Sequence, residues 1–335
     1  EKWIVEDIPL LVDEVTGNGS EAMHFIAGLS MGGYGAMRLA GRNILGPPPN
    51  VEAAADVLRR AIDLGVNLID TADAYGPGYN EALIADVLSP YPEGLVIATK
   101  GGLVRTPDGA WTANGRPDHL RRACAESLRR LRLETIDLYQ LHRPDPAVPL
   151  EESVGLLRDL RDEGKVRLIG VSNVDLRQLT LATDIADIAS VQNPYHLHDR
   201  EHENVLRACE AADIAFIPYY PLKGFGYDKG TPALADVGRA HGSSPAAAAL
   251  AWLLGRSPVM VPIPGTSSTR HLEQNVAAAA IRLTNTERER LDAFRPGLSD
   301  KLGALKSPLS GAGRERVRAA AGPLRRLSER LRFWD

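Results

Sequence analysis

Cysteine is scarce in this chain: Cys124 and Cys209 are its only two, both inside segments with helical spacing. Two distant thiols without paired spacing argue against a disulfide scaffold and suit the reduced thiols of a cytoplasmic protein. No apolar run reaches the roughly 18 residues that span a bilayer, and the first residues lack a basic-then-apolar leader pattern. A membrane protein is therefore not expected. Charge of one sign is also in short supply, the formal balance being −4, which argues against a general nucleic-acid binder. Metal-ligand spacing is absent too. His196, His198 and His202 lie close together, but Asp199-Arg200-Glu201 between them reads as a solvated loop and helix start, and no metal site is expected.

What is present is ordinary globular material, 44% apolar and 24% charged over 335 residues. That is enough for one large α/β barrel or for two smaller domains. From about residue 50 onward, short β-rich runs alternate with amphipathic helical segments, as in parallel βαβ units. The runs fall at residues 68–70, 95–99, 136–140, 166–171, 190–192, 215–218 and 259–262. An eighth is expected at 35–39. Helices are expected at 51–64, 117–131, 150–162 and 200–211, among others. Eight strand–helix units over this length predict a closed (β/α)8 TIM barrel. A doubly wound open sheet would carry a differently spaced glycine turn than Gly32-Gly33-Tyr34-Gly35.

In such barrels chemistry gathers where the strands end. The residues at those ends are Asp70, Lys100, His142, Ser172-Asn173, Gln192 and Tyr219, all polar. Tyr75 follows on the loop after Asp70. A tyrosine is a poor acid at neutral pH; a neighbouring ammonium makes it a better one, and a carboxylate can hold that ammonium in place. Tyr75, Lys100 and Asp70 could fill these roles, with His142 orienting a substrate oxygen. Together they would make a proton donor facing a carbonyl group.

These residues sit in motifs that resemble the aldo-keto reductases. The matching stretches are Asn67-Leu-Ile-Asp70-Thr-Ala-Asp-Ala-Tyr75-Gly-Pro-Gly-Tyr-Asn-Glu81, Ala98-Thr-Lys100-Gly-Gly, Ile136-Asp-Leu-Tyr-Gln-Leu-His142 and Gly164-Lys-Val-Arg-Leu-Ile-Gly-Val-Ser172-Asn173. Val191-Gln192-Asn-Pro-Tyr195, Ile217-Pro-Tyr219-Tyr-Pro-Leu222 and Ile263-Pro-Gly265-Thr-Ser-Ser-Thr-Arg270-His-Leu-Glu-Gln-Asn275 complete the series. The resemblance implies reduction of an aldehyde or ketone with Tyr75 as general acid, Asp70 and Lys100 as its tuners, and His142 orienting the substrate. It further implies that Ser172, Asn173 and Gln192 bind the nicotinamide carboxamide and that Tyr219 stacks on the ring. Gly265, Thr266, Ser267, Gln274 and Asn275 would wrap the adenosine end. Many members carry a lysine in place of Gly265 and an arginine in place of His271 to grip a 2′-phosphate. Arg270, one position earlier, stands in for them, so NADP is expected over NAD.

The reductase resemblance covers about residues 35–295, and the barrel domain is expected at 35–296. Residues 1–37 instead resemble serine esterases of the S-formylglutathione hydrolase and mycolyltransferase type. Gly28-Leu-Ser30-Met-Gly32 has the form of a nucleophile elbow, with Ser30 as an alternative nucleophile, which raises the prospect of a chimera with a secondary esterase activity. On this reading, residues 1–34 are an appended segment rather than a domain, and Ser30 stands on the approach to the first strand, remote from Tyr75. Residues 297–335 exceed the usual reductase ending, and the spacing of Leu324, Leu327, Leu331 and Trp334 predicts a helix packed on the barrel.

Overall fold

The computed structural model describes residues 50–106, 110–222 and 231–294. The strand expected at 35–39, the elbow around Ser30 and the helix expected after residue 297 lie outside the described residues. The chain divides into two compact units after Ala293, and all of its described strands and helices belong to the first.

Strands and helices alternate. Helix α1 (Val51–Asp63) precedes β1 (Leu68–Asp70), α2 (Tyr79–Leu88) and β2 (Val96–Gly101). A hairpin of β3 (Leu103–Arg105) and β4 (Trp111–Ala113) leads to α3 (Pro117–Leu131), β5 (Ile136–Leu141), α4 (Leu150–Asp162) and β6 (Val166–Ser172). Then come α5 (Leu176–Ile185), β7 (Ile188–Pro194), α6 (Glu203–Ala211) and β8 (Ala215–Tyr219). Helices α7 (Pro232–Ala240), α8 (Pro245–Leu254), α9 (Thr269–Ala277) and α10 (Asn285–Asp292) follow.

Local chemistry sets many of these boundaries. Asn50 caps α1 by accepting from the Ala53 amide at 2.9 Å, and Asp175 with Gln178 forms a capping box on α5. Prolines occupy the first turns of α3, α7 and α8, where a missing N–H costs nothing.

The strands β1-β2-β5-β6-β7-β8 form one parallel sheet in that order. Beyond β8, Met260 makes a single parallel bridge to Phe216, with the Phe216 N–H donating to Val259 O at 2.7 Å and the Val261 N–H to Phe216 O at 2.8 Å. The strand expected at 259–262 is thus reduced to a bridge. Pro258, Pro262 and Pro264 lack the amides a longer ladder would use.

Leu68, Ala98, Leu138, Leu168, Ile217 and Ile263 form one buried cluster, and every side chain packed against it also comes from a strand or from the bridge segment. Among the described residues no helix covers that face. The sheet buries it by curling on itself, as in the (β/α)8 barrel. The outer face packs on helices: Ile69 and Ile97 join Ala54 and Leu58 of α1 and Leu83, Ile84 and Leu88 of α2.

Both cysteines are buried and unbridged, and burial pushes each thiol up to about 12. Among the described residues no helix is long and apolar enough to cross a membrane, and no cluster of His, Cys, Asp and Glu could hold a metal. The histidine loop is packed rather than solvated. His196 is buried, its Nδ1 accepts from the His198 amide at 3.1 Å, and His198 Nε2 lies 2.9 Å from Thr231 Oγ1.

Candidate active site

Parallel register delivers the first two residues of the site. Asp70 lies opposite Ala98, so Lys100, two residues further along β2, points to the same inner face. Both side chains are fully buried, and Lys100 Nζ donates to Asp70 Oδ2 at 2.6 Å. A second donation, to Thr71 O at 2.8 Å, fixes the ammonium further. Burial pulls the Lys100 pKa below its ordinary value, and the Asp70 charge opposes that pull.

Tyr75 stands on the turn after β1. Its ring lies under the ammonium, with Lys100 Nζ 5.5 Å from the centroid. On another side it meets the His142 imidazole edge-on, centroids 5.7 Å apart at 84°. His142 follows β5 directly and is held by its own N–H donating to Gly101 O at 2.8 Å. Burial, then the charges of Lys100 and Arg143, pushes its pKa well below the usual histidine range. The ring is therefore neutral near pH 7, one nitrogen donating and one accepting. Its Nδ1 is buried and has no hydrogen-bond partner among the described residues.

The remaining strand-end residues are linked to the same network. Gln192 is turned inward, its Nε2 donating to Asp70 Oδ1 at 3.0 Å. Ser172 Oγ donates to Gln192 O at 2.7 Å. Asn173 adopts a left-handed backbone, φ 60°, which aims its Nδ2 at His142 O and at Ser172 Oγ, each at 3.0 Å. The Tyr219 hydroxyl donates to Asn173 Oδ1 at 2.7 Å, and burial pushes its pKa up to about 12. Asp70, Tyr75, Lys100, His142, Ser172, Asn173, Gln192 and Tyr219 thus belong to one connected group.

The other expected residues form a second group around the start of α9. Ser268 caps that helix, accepting from the His271 amide, and Thr266 Oγ1 accepts from the Ser268 amide at 3.1 Å. Thr266 and Asn275 are buried, Gly265 and Gln274 are half-buried, and Ser267 and Arg270 are exposed. Helix α9 is tied to α1 by Glu273, which takes the Arg60 guanidinium at 2.7 Å.

Three further residues, inside the quoted motifs but given no role from sequence, belong to the site. Gln140 on β5 donates its Nε2 to Asp70 Oδ1 at 3.1 Å. Glu81 is fully buried beneath the Tyr75 loop, accepting from Thr99 Oγ1 at 2.6 Å and from Arg130 Nε at 2.7 Å. Asp73, on the loop itself, has its pKa pushed up to about 7, by burial first and by the Glu81 charge second. Alternation carried the missed signal for Gln140. Leu138, Gln140 and His142 share a parity, and an amide in a strand buried on both faces needs a polar partner.

Chemically, a phenol flanked by a buried ammonium and a neutral imidazole is equipped to donate a proton to an oxygen that gains negative charge. The carboxylate behind the ammonium keeps that cation in place.

Comparison with known proteins agrees with this geometry. A model of the aldo/keto reductase family matches residues 33–296. The chain is 44% identical over 260 residues to an uncharacterized oxidoreductase of Schizosaccharomyces pombe, covering 78% of this chain and 85% of that one. It is 40% identical over 273 residues to pyridoxine 4-dehydrogenase of Escherichia coli, covering 78% and 93%. Among solved structures it resembles an aldo-keto reductase of Klebsiella pneumoniae in complex with NADPH, at 31% identity and a TM-score of 0.65 over 74% of this chain and 87% of that one.

Proposed function

The chain belongs to the aldo/keto reductase family, and from that premise we propose that it reduces an aldehyde or ketone to the alcohol with NADPH, Tyr75 serving as the general acid. The observation that carries this reading is the fully buried Lys100–Asp70 pair at 2.6 Å, with the ammonium held 5.5 Å from the Tyr75 ring centre. A cation fixed there stabilises the phenolate left when Tyr75 gives up its proton, so the phenol is a stronger acid than a free tyrosine. His142, neutral, offers an N–H to the carbonyl oxygen and orients it towards Tyr75.

The residues present fit a nicotinamide dinucleotide. Ser172 and Asn173, here bonded to each other and to Gln192 O, His142 O and the Tyr219 hydroxyl, carry the donor and acceptor types a carboxamide needs and would exchange partners to receive it, and the Tyr219 ring offers an aromatic face beside them. At the α9 end, the Ser267 hydroxyl, the helix N-terminus and the exposed Arg270 suit an anionic group, with Gly265, Thr266, Gln274 and Asn275 around it. When bound, the reduced nicotinamide supplies the hydride. Gln192 is engaged with Asp70, so we assign it to holding that carboxylate as well as to the carboxamide side of the site.

The test is Tyr75→Phe. It removes a proton donor and no cofactor contact, so carbonyl reduction should fall by about 10²–10⁴-fold, while quenching of tryptophan fluorescence by NADPH keeps its wild-type midpoint. Reduction near wild-type rates in that variant would remove Tyr75 from the chemistry.

We assign the protein to the cytoplasm on its two buried, unbridged thiols. The elbow Gly28-Leu-Ser30-Met-Gly32 precedes the family match. We propose that it marks a foreign segment, joined to the reductase at residues 35–39, that takes no part in the reduction.

A further inference from the structure

Behind the Lys100–Asp70 pair the barrel interior is crossed by a layer of buried polar side chains. Asp70, Lys100, Gln140, Ser190 and Gln192 are all at most 2% exposed. Asp70 is its centre: Oδ2 accepts from Lys100 at 2.6 Å, and Oδ1 accepts from Gln140 Nε2 at 3.1 Å and Gln192 Nε2 at 3.0 Å. The Gln140 amide has no freedom to reverse, because a carboxylate paired with an ammonium only accepts. Its Oε1 faces Ser190 Oγ and Gln192 Nε2, both at 3.5 Å.

The next strand is cut away to admit this side chain. Gly170 lies opposite Gln140 in the ladder and opposite Ser190 on the other side. A Cβ built on Gly170 would stand 2.7 Å from Gln140 Cγ and collide with Ser190 Oγ. The missing side chain at 170 is thus the space that Gln140 occupies on its way to Asp70.

We propose that Gln140 is a positioning residue for the reduction: by donating to Asp70 Oδ1 it fixes the carboxylate that holds Lys100 against Tyr75, and so sets the acidity of the Tyr75 hydroxyl. The proposal rests on the reading of Tyr75 as the proton donor. The sign follows from electrostatics. The amide N–H points its positive end at Asp70, and deleting it leaves the potential around Lys100 and Tyr75 more negative. Both groups then hold their protons more tightly, and Tyr75 becomes the weaker acid. The other titratable and charged groups around the pair are Asp73 on the Tyr75 loop, Glu81 on α2, His142 and Arg143 after β5, and Tyr219 at the end of β8. None of these is altered by a substitution at Gln140 or Gly170.

The experiment is a pH profile of NADPH-dependent aldehyde reduction for the wild type, Gln140→Met, Gly170→Ala and Tyr75→Phe. Methionine keeps the length and volume of glutamine and removes the donor. The alanine leaves Gln140 intact but displaces it. For both, the alkaline limb of kcat should move up by about half to one pH unit and kcat at pH 7 should fall about 3–10-fold, with KM and NADPH binding within about twofold. A limb that stays at its wild-type position in Gln140→Met overturns the proposal, whatever happens to thermal stability. Should that variant fail to fold, the limb of Gly170→Ala decides by the same criterion. A wild-type protein without carbonyl reduction, or an active Tyr75→Phe, overturns the underlying reading and the proposal with it. Activity lost in Tyr75→Phe beside an unmoved limb in Gln140→Met overturns the proposal alone.

Discussion

At the scale of single residues, the Tyr75 loop carries an unusual carboxyl. Asp73 has its pKa pushed up from 3.8 to about 7, by burial and then by the Glu81 charge. The folded state therefore holds a proton that the unfolded chain has released. Between about pH 4 and pH 7 the folded state binds more protons than the unfolded one, so stability falls as pH rises through that window, and the full penalty remains above it. Asp73→Asn removes the titration. The variant should be more stable than the wild type at pH 8, by about 1–3 kcal/mol, and the difference should close towards pH 4. Urea unfolding at a series of pH values measures this; a difference of equal size at pH 4 and pH 8 would trace the effect to packing instead. Asp70, Lys100 and His142 were legible in the sequence because each is a polar residue at the end of an apolar run. Alternation signals that Gln140 faces the barrel interior, but its partnership with Asp70 was not legible, because the two lie 70 residues apart, as the Gln192–Asp70 contact spans 122. Contacts of that range depend on sheet register, which spacing along the chain does not reveal.

At the scale of elements, the start of α9 is where we propose that the cofactor preference is set. Arg270 is exposed in the first turn of a helix capped by Ser268, where the helix dipole and the guanidinium favour the same negative charge. Its Nη2 lies 3.2 Å from His271 Nε2, and it is the only lysine or arginine in the segment 263–275. Arg270→Ala should raise the Kd for NADPH by about tenfold or less, as an exposed charge-assisted contact implies, and leave NADH within about twofold. Fluorescence titration with the two cofactors measures both, and equal losses would make Arg270 a structural residue. Expected elements matched closely where hydrophobic period and terminators agreed. The strand at 68–70 and the helices at 117–131 and 150–162 have the expected bounds. The hairpin of β3 and β4 was not legible, because each strand has three residues, too few to show alternation. The helix expected from residue 200 begins at Glu203, since Arg200 turns instead towards the last turn of α10, donating to Leu291 O and Asp292 O.

At the scale of the whole molecule, the barrel accounts for why residues so far apart in sequence act together. Parallel register turns Asp70, Lys100, Gln140 and Gln192 into neighbours on one inner layer, and the strand ends above it carry His142, Ser172, Asn173 and Tyr219. That architecture was legible from the repeated strand–helix alternation, and the family match over residues 33–296 spans it. The pentapeptide around Ser30 ends at Gly32, before the family match begins at residue 33, and no step of the proposed reduction calls on it. The central claim, that this chain is a carbonyl reductase, meets its most direct test in one purified sample assayed in parallel. NADPH oxidation is followed with an aldehyde, and cleavage of a short p-nitrophenyl ester is followed beside it, for the wild type and for Ser30→Ala. The expected result is one alcohol formed per NADPH consumed, at rates the Ser30→Ala substitution leaves unchanged. Ester cleavage that is abolished by Ser30→Ala, in a protein that consumes no NADPH with any aldehyde offered, would contradict the claim.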